Sequence, residues 1–307
     1  MRSQPFVLFA ACLAGLAACD KSAPTSAPAG SASSTSATLG PGEVDAKHGT
    51  VRASGSSALQ PLVNAAKERF ETAHRGASIE VSAGGSKKGL ADVASGAVQI
   101  GCSDIFAPDD LKSQLVDHKV AVVGFAAMAN KGPFNAKVTA VSLPDLAKVF
   151  SGEITDWKQL GGEPQRIVVI NRAPGSGTRA VFGGVVLGGD KFVESQTEDN
   201  SGALVAKLGQ TKGAISYLAL SFKSDDLATL SLKGNDGGVI DPTVENITSG
   251  AYPIWSYEHL FTKGEPTGTT RDFVTYMTSP EFQTGVLPKV KGFIPVTAMR
   301  VARDHDG

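Results

Sequence analysis

The sequence predicts an α/β fold with mostly parallel sheets, and three observations carry this prediction. Short apolar runs typical of buried strands alternate with stretches whose apolar residues recur at three- and four-residue steps. Turns rich in glycine and serine stand at several strand-to-helix junctions. The chain has 307 residues, of which 41% are hydrophobic, and this is enough for two modest domains. Its formal net charge of -1, without a basic run, gives no indication of a nucleic-acid partner.

The same patterns justify the elements in chain order. Apolar runs predict strands at 50–54, 78–83, 97–103, 119–129, 166–170, 213–220 and 227–232. Amphipathic spacing predicts helices at 58–74, 87–96, 142–152, after the turn at 173–176, and within 268–287. Ser142 is the expected N-cap of the third helix, with Pro144 in its first turn. Strands that alternate with helices favour parallel pairing, because parallel strands need a crossover connection.

The first residues predict a secretory signal. An apolar run at 6–18 follows one positive charge and is too short to span a bilayer. It ends in LAAC, which resembles a bacterial lipobox and implies cleavage of 1–18 and a lipid such as palmitate on Cys19. An ordinary signal peptide with an incidental cysteine is the alternative. Asp20 resembles an inner-membrane retention signal, and the small and polar residues at 19–48 predict a flexible tether.

The remaining composition argues against metal, cofactor and catalytic sites. After processing, Cys102 is the only other cysteine, so the folded part can form no internal disulfide and no cysteine metal cluster. We expect it to be a small buried residue. A serine hydrolase is the rival from another functional class, but neither SGSSA nor PGSGT forms a Gly-x-Ser-x-Gly elbow. None of the five histidines lies in a motif that suggests a base.

Three turns of similar chemistry join a predicted strand to a predicted helix. They are ASGSSALQPLV at 53–63, SAGGSKKGLADV at 82–93 and INRAPGSGTRAVF at 170–182. The first backbone amides of a helix lack intrahelical acceptors, and the helix dipole adds partial positive charge there. One such turn is ordinary capping. Three of them, the last carrying Arg172, predict an anion site built from hydrogen-bond donors.

Asp104 ends an apolar strand in GCSDIF, where a carboxylate is costly unless it is paired or functional. A helix cap or a surface position is the alternative. Inside a cage of donors, an ionised carboxylate only accepts hydrogen bonds, so it rejects a fully deprotonated oxyanion. Monohydrogen and dihydrogen phosphate still carry a proton to donate, whereas sulfate near neutral pH does not. The residues therefore predict a site that discriminates phosphate from sulfate.

Five motifs in this order resemble the phosphate-binding protein of bacterial phosphate ABC importers. They are GSSALQPLV, GGS with KGL and SGAVQIGCSD, DHKVAVVGFA, VFSGEITDWKQLGG and INRAPGSGTRAVF, and the match runs from about 51 to 299. The resemblance implies a type-II periplasmic-binding-protein fold, in which two α/β lobes close over a ligand cleft. Lobe one would comprise 49–128 plus 252–307 and lobe two 129–251, with crossings near 126–131 and 250–260.

The resemblance also implies the residues that bind phosphate, namely Ser57, Ala58, Leu59, Ser86, Asp104, Arg172, Ser176, Gly177 and Thr178. Which of Ser56 and Ser57 faces the ligand stays open. Arg179 is expected to pack or pair outside the site, and Trp157 to pack in lobe two. The chain departs from the family pattern at Ala58, at Lys87 and Lys88, and at Pro174. We expect the two lysines to begin a solvated helix, and extra positive potential at the cleft mouth is the alternative.

As partners the resemblance implies inorganic phosphate and the ABC permease subunits of the inner membrane, with no cofactor and no nucleic acid. A monomer is expected, held through its N-terminal lipid on the periplasmic side of the inner membrane, or on the cell surface in a Gram-positive source. A binding protein for another tetrahedral oxyanion and a phosphate sensor uncoupled from transport are the closer alternatives, and a serine-dependent hydrolase is the distant one.

Overall fold

The computed structural model describes residues 49–304. The predicted signal peptide, the lipid on Cys19 and the tether at 19–48 lie outside the described residues. The strands are β1 (Thr50–Gly55), β2 (Ser78–Ala83), β3 (Ile100–Ser103), β4 (Leu115–Asn130), β5 (Ala140–Ser142), β6 (Val168–Arg172), β7 (Gln196–Glu198), β8 (Ala214–Ala219), β9 (Leu227–Thr229), β10 (Ser231–Lys233), β11 (Val239–Ile240), β12 (Trp255–Lys263) and β13 (Phe293–Ile294). The α-helices are α1 (Gln60–Ala73), α2 (Ser86–Ser95), α3 (Asp109–Lys112), α4 (Leu143–Ser151), α5 (Gly177–Leu187), α6 (Ser201–Gln210), α7 (Val244–Thr248), α8 (Gly268–Thr278) and α9 (Pro280–Gly285).

Among residues 49–304 the strands form a ten-stranded mixed sheet and a three-stranded sheet. The order along the large sheet is β2-β1-β3-β12-β4-β8-β6-β7, and β9 and β13 also pair with β4. The outer groups are parallel, with β1 beside β2 and β3, and β6 beside β7 and β8. The central pairs of β4 and β12 are antiparallel. The prediction of mostly parallel sheets is therefore wrong, because two long strands run antiparallel between the parallel groups.

The long strand β4 links the two parallel groups. Its first part, as far as Gly124, pairs with β12, and the part from Phe125 onward pairs with β8. The chain returns through β12, whose Trp255 pairs with Gly124. The expected crossings near 126–131 and 250–260 fall on or beside these two strands. The lobe boundaries themselves stay a prediction.

Most of the other predicted elements occur within a few residues of their expected bounds. The Ser142 hydroxyl caps α4 by accepting from the Asp145 amide at 3.2 Å, which confirms the predicted N-cap. The run at 227–232 is not one strand. It divides at Leu230 into β9, which pairs with β4, and β10, which pairs with β5 in the smaller sheet. The two halves thus serve different sheets, and a single apolar run gives no sign of this.

The strand β12 and the helix α6 were not among the predicted elements. In the sequence of β12, WSYEHLFTK, the polar residues Glu258 and His259 interrupt the apolar run, yet both are 0% exposed. His259 Nδ1 is hydrogen-bonded to Asp117 Oδ1 on β4 at 2.7 Å. A partner so far along the chain cannot be read from a local hydrophobic pattern, which is why the pattern missed this strand.

The core confirms two expectations about single residues. Trp157 is 0% exposed, its Nε1 donates to the Gly213 carbonyl at 3.1 Å, and its ring packs against Phe134. Cys102 is buried at the end of β3 as a free thiol. Between residues 49 and 304, no helix has both the length and the apolar character needed to cross a bilayer.

Candidate functional site

The three predicted turns meet at one place in the fold. They lead into α1, α2 and α5, so three helix N-termini converge there. The amide of Lys87 after the second turn donates to the carbonyl of Gly175 in the third at 3.1 Å. Arg172, the last residue of β6, donates from its NH2 group to Ser57 Oγ of the first turn at 3.1 Å. The structure thereby joins segments that are 115 positions apart in the chain.

All the residues predicted to bind phosphate are buried at this meeting point. The eight with side chains are at most 3% exposed, namely Ser57, Ala58, Leu59, Ser86, Asp104, Arg172, Ser176 and Thr178. Gly177 is buried as the first residue of α5. Charged side chains are almost never fully buried unless they are paired or bind something. The burial of Asp104 and Arg172 therefore indicates a site rather than a surface feature.

The Asp104 carboxylate is held by the second and third turns. Its Oδ2 accepts from the Thr178 hydroxyl at 2.8 Å, and its backbone amide donates to Ser86 Oγ at 2.9 Å. Its Oδ1 is buried and has no hydrogen-bond partner within residues 49–304. An ionised carboxylate oxygen needs a donor, so Oδ1 can accept a proton-bearing group.

The Arg172 guanidinium does not reach Asp104 directly. No carboxylate among residues 49–304 lies within 4.0 Å of it, although the charge of Asp104 acts on it. Its NH2 group donates to Ser57 Oγ and, at 3.5 Å, to the Asp199 carbonyl, while its buried Nε has no partner in that range. Burial lowers the pKa of Arg172, and the negative charge of Asp104 opposes this shift.

Gly177 allows the third turn to approach the second. A Cβ built on Gly177 would lie 2.2 Å from Ser86 Oγ and 2.9 Å from the Asp104 Cβ. Gly177 and Thr178 are the first two residues of α5. Their backbone amides therefore have no carbonyl within the helix to donate to. Ser176 is the N-cap, and its hydroxyl oxygen accepts from the Arg179 amide at 3.3 Å. The Ser176 hydrogen and the two amides are thus available to an anion.

The first turn distinguishes the roles of its two serines. Ser56 Oγ accepts from the amides of Ala58 and Leu59 at 3.0 and 3.3 Å, so Ser56 stabilises the turn that leads into α1. Ser57 is the serine that contacts Arg172. The role of the Ala58 and Leu59 amides as ligand donors stays a prediction, and it requires the Ser56 hydroxyl to release them.

Sequence reasoning missed Ser201, the first residue of α6. Ser201 is 0% exposed, its amide donates to Ser57 Oγ at 3.1 Å, and its hydroxyl accepts from Arg172 NH1 at 3.4 Å. The signal that could have found it is Asn200, the N-cap of α6, whose side chain accepts from the Ala203 amide at 2.9 Å. A fourth helix N-terminus thus joins the predicted three.

The residues expected to lie outside the site do so. Lys87 and Lys88 are exposed at the start of α2, and Lys88 pairs with Asp92 one turn later, which confirms a solvated helix start. Arg179 donates from Nε to Asp190 Oδ1 at 2.6 Å. Its guanidinium also covers the Phe192 ring at 4.5 Å. Neither the lysines nor Arg179 contacts the buried carboxylate.

A cavity of about 380 Å³ lies at the rim of this meeting point, between the second and third turns. It is lined by Ala83, Gly84, Gly85, Ala173, Gly175, Ser176, Asp199 and Asn200. In the described part of the chain, no group of three or more histidine, cysteine or acidic residues could hold a metal ion. The arrangement of donors around one buried carboxylate can hold a small anion that carries a proton.

Comparison with known proteins gives a family for this fold. A family model for the PBP superfamily domain matches residues 28–281. The phosphate-binding protein PstS of Bacillus subtilis (strain 168) is 46% identical over 264 residues, which cover 84% of this chain and 85% of that protein. The protein SphX of Synechococcus elongatus is 25% identical over 280 residues, or 83% of this chain and 80% of SphX.

Solved structures agree with this assignment. A Clostridium perfringens substrate-binding protein assigned to a phosphate ABC transporter, solved with bound phosphate, is 28% identical with a TM-score of 0.74 and covers 80% of this chain and 99% of its own. An ABC-type phosphate transport receptor from Vibrio cholerae, 20% identical with a TM-score of 0.63, shares the fold over 80% of this chain and 99% of its own. The expected two-lobed binding-protein fold is confirmed. The chain belongs to the PBP superfamily and, within it, to the family of the phosphate-binding protein PstS.

Proposed function

We propose that this chain binds inorganic phosphate among its converging turns and delivers it to an ABC-type phosphate permease. One observation carries the proposal: a buried carboxylate lies in a cage of hydrogen-bond donors. Asp104 and Arg172 are each 1% exposed, and Asp104 Oδ1 and Arg172 Nε have no partner within residues 49–304. The 46% identity to a phosphate-binding protein and the 28% identity to a protein solved with phosphate support the same ligand.

Phosphate can supply both an acceptor for Arg172 Nε and a donor for Asp104 Oδ1. One phosphate oxygen accepts from Arg172 Nε, since a guanidinium binds oxyanions through charge-assisted hydrogen bonds. A protonated phosphate oxygen donates to Asp104 Oδ1, which only accepts. The remaining oxygens accept from amides and hydroxyls of the predicted set, Ser57, Ala58, Leu59, Ser86, Ser176, Gly177 and Thr178. Sulfate satisfies Arg172 but leaves Asp104 facing lone pairs, so the site discriminates against it.

We further propose that two lobes, 49–128 plus 252–307 and 129–251, close over the ligand. Contacts at the site that join these segments include Arg172 with Ser57, Thr178 with Asp104, and the Lys87 amide with the carbonyl of Gly175. A ligand drives closure only if it binds the closed form more tightly, and donors from both segments achieve this. The closed form then docks on the permease.

The membrane attachment is a proposal of its own. We infer that Cys19 carries a lipid that anchors a monomer on the periplasmic side of the inner membrane, or on the cell surface of a Gram-positive source. The support is the LAAC sequence at 16–19 and the polar tether that follows it. Radiolabelled palmitate incorporation that Cys19→Ser abolishes is the expected result. Labelling that persists in Cys19→Ser would contradict the assignment.

The alternatives differ in what they predict. The chain belongs to a family of transport binding proteins, which are not enzymes, as expected. This excludes the alternative function of a serine-dependent hydrolase. A binding protein for another tetrahedral oxyanion and a sensor uncoupled from transport remain as alternatives. No observation on the described residues favours either of them over phosphate capture for import.

Isothermal titration of the purified protein with phosphate and with sulfate tests the proposal. We expect saturable heat with phosphate and none with sulfate at about pH 8, because sulfate carries no proton there. Equal affinity for the two anions would indicate a general oxyanion-binding protein. No heat with phosphate at millimolar concentration would refute the proposal. Phosphate uptake is then measured in cells that lack this protein. Reduced uptake would indicate a role in import, and unchanged uptake would indicate a sensor.

A further inference from the structure

A second carboxyl group, that of Glu258, lies beside Asp104 and has no role in the predicted site. Glu258 is 0% exposed in β12. The strand runs antiparallel to β3, and His259 opposite Ser103 is the last pair. Glu258 and Asp104 come directly after this pair, where the register of β12 against β4 shifts. The Ser256 hydroxyl donates to the Asp104 carbonyl at 2.6 Å and fixes the two strand ends together. The two carboxyl groups therefore lie close together just beyond the end of this pairing, and each is within reach of the other's charge.

Glu258 and Asp104 can bond to each other only through a proton. Neither carboxyl oxygen of Glu258 meets a hydrogen-bond donor within residues 49–304, and neither does Asp104 Oδ1. Two ionised carboxylates only accept, so a bond between them requires that one is protonated. Burial, then the charge of Asp104 and the side-chain bond to it, raise the pKa of Glu258 well above its usual range.

The proton belongs to Glu258 because only Asp104 has groups that stabilise a negative charge. Asp104 accepts from the Thr178 hydroxyl and lies in the field of Arg172. The other titratable group of β3 near Glu258 is the thiol of Cys102. Burial raises the pKa of this thiol to about 12. On β4 the residue paired with Glu258 is Ala121. A carboxylate in such surroundings is unfavourable, whereas a neutral carboxylic acid is tolerated.

The charged groups on the elements around Glu258 are engaged elsewhere. Lys119 of β4 stands over the Tyr257 ring at 4.3 Å, and His259 bonds to Asp117. On α2 the charged residues are exposed or paired with each other, namely Lys87, Lys88 and Asp92. None of these groups supplies a positive charge to Glu258.

We propose that Glu258 is a positioning residue whose neutral carboxylic acid donates a hydrogen bond to Asp104 and keeps Asp104 ionised as the acceptor for the bound anion. A donor that binds the charged form of a carboxylate favours that form. Asp104 then stays an acceptor, and the site continues to require a proton on its ligand. The proposal rests on phosphate binding at this site and concerns how the site selects its anion.

The test compares Glu258→Leu, which has no donor, with Glu258→Gln, which keeps a neutral donor. Phosphate and sulfate affinities of the full chain are measured by titration calorimetry at about pH 8 and about pH 5.5. Without its donor, Asp104 takes up a proton more readily and can then donate to sulfate. We expect the phosphate-to-sulfate affinity ratio of Glu258→Leu at the lower pH to fall about tenfold or more below wild type. Glu258→Gln should restore the wild-type dependence of the ratio on pH.

A matched control changes another buried polar residue of β12. Thr262 is 2% exposed and bonds to His118 and Gly264, away from Asp104. Thr262→Val should follow the wild-type pH dependence. A Glu258→Leu protein with the wild-type ratio at both pH values would overturn the proposal, and so would a Glu258→Gln protein that behaves like Glu258→Leu. Wild type without phosphate binding would refute the proposed function instead.

Infrared spectroscopy keeps the proposal testable if Glu258→Leu does not fold. At about pH 7 the wild-type protein should show the carbonyl stretch of a protonated carboxylic acid, because other carboxyl groups are ionised there. The band should be missing in Glu258→Gln. Wild type without such a band, or a band that persists in Glu258→Gln, would overturn the assignment of the proton.

Discussion

Replacing Gly177 by alanine isolates the contact between the second and third turns. In the structure the new Cβ would lie 2.2 Å from Ser86 Oγ, and 2.9 Å from both the Ser86 Cβ and the Asp104 Cβ. Ser86 cannot rotate away without losing the hydrogen bond that its Oγ accepts from the Asp104 amide at 2.9 Å. The methyl group therefore prevents the turns from meeting as they do here.

The magnitude follows from the overlap. Atoms at 2.2 Å must separate by about an ångström to reach ordinary contact, and overpacking of this kind costs about 1–3 kcal/mol. If that cost falls on the closed form alone, phosphate affinity decreases about 5- to 150-fold. Alanine is at least as good as glycine in a helix, by up to about 1 kcal/mol. We therefore expect the melting temperature without phosphate to stay the same or rise while affinity falls.

Gly175 supplies the matched control in the same turn. A Cβ there meets nothing within 4 Å, and its carbonyl still accepts from the Lys87 amide after substitution. Calorimetric titration with phosphate and thermal unfolding are measured for both variants. Gly175→Ala should bind phosphate within about threefold of wild type, which corresponds to less than 1 kcal/mol. Wild-type affinity in Gly177→Ala would refute the closure argument.

Three other substitutions have definite expected outcomes. Arg172→Ala should weaken phosphate binding by at least about 2 kcal/mol, or thirtyfold. Arg166, an exposed arginine just before β6, is the control, and Arg166→Ala should not weaken binding. Similar titration curves for the two variants would contradict the role of Arg172. Asp104→Asn should narrow the phosphate-to-sulfate affinity ratio by about tenfold or more, since an amide can donate to sulfate, and an unchanged ratio would disprove the account of selectivity. Glu258→Gln should raise the free energy of unfolding above about pH 5. The folded wild type keeps a proton that the unfolded chain releases near its ordinary pKa of 4.5, so wild type loses up to about 1.4 kcal/mol per pH unit above that value. Denaturant unfolding of both proteins across pH measures this, and a pH-independent difference would count against a neutral Glu258.

The parts of the site that the sequence predicted are local in origin. A glycine and serine turn before an amphipathic run marks a helix N-terminus within a few residues, and the structure has such ends at α1, α2 and α5. The choice between Ser56 and Ser57 could not be made this way, because both stand in the same turn before α1. Only the position of Arg172, far along the chain, shows that Ser57 is the serine in contact with it.

The parts that the sequence did not predict depend on long-range pairing. Glu258 lies next to Asp104 because β12 pairs with β3, and the two residues are 154 positions apart by their numbers, 258 and 104. Ser201 reaches Ser57 across 144 positions. The antiparallel centre of the sheet has the same origin, since no local pattern records which strands become neighbours. Local chemistry thus predicted the donors, and topology supplied the groups that orient them.

The separation of Arg172 from Asp104 explains why the site selects a protonated anion. A direct ion pair would satisfy both charges and leave little for a ligand. Here serine hydroxyls occupy part of the guanidinium and Thr178 occupies one carboxylate oxygen. The donor atom Nε has no partner in residues 49–304, and the acceptor atom Oδ1 has two lone pairs, so it can accept from a ligand as well as from Glu258. A fully deprotonated anion accepts from Arg172 Nε, but its lone pairs then face the lone pairs of Asp104 Oδ1. A neutral molecule can donate to Oδ1, but it leaves the charge of the guanidinium uncompensated. An anion that keeps a proton satisfies both, and phosphate at physiological pH is such an anion.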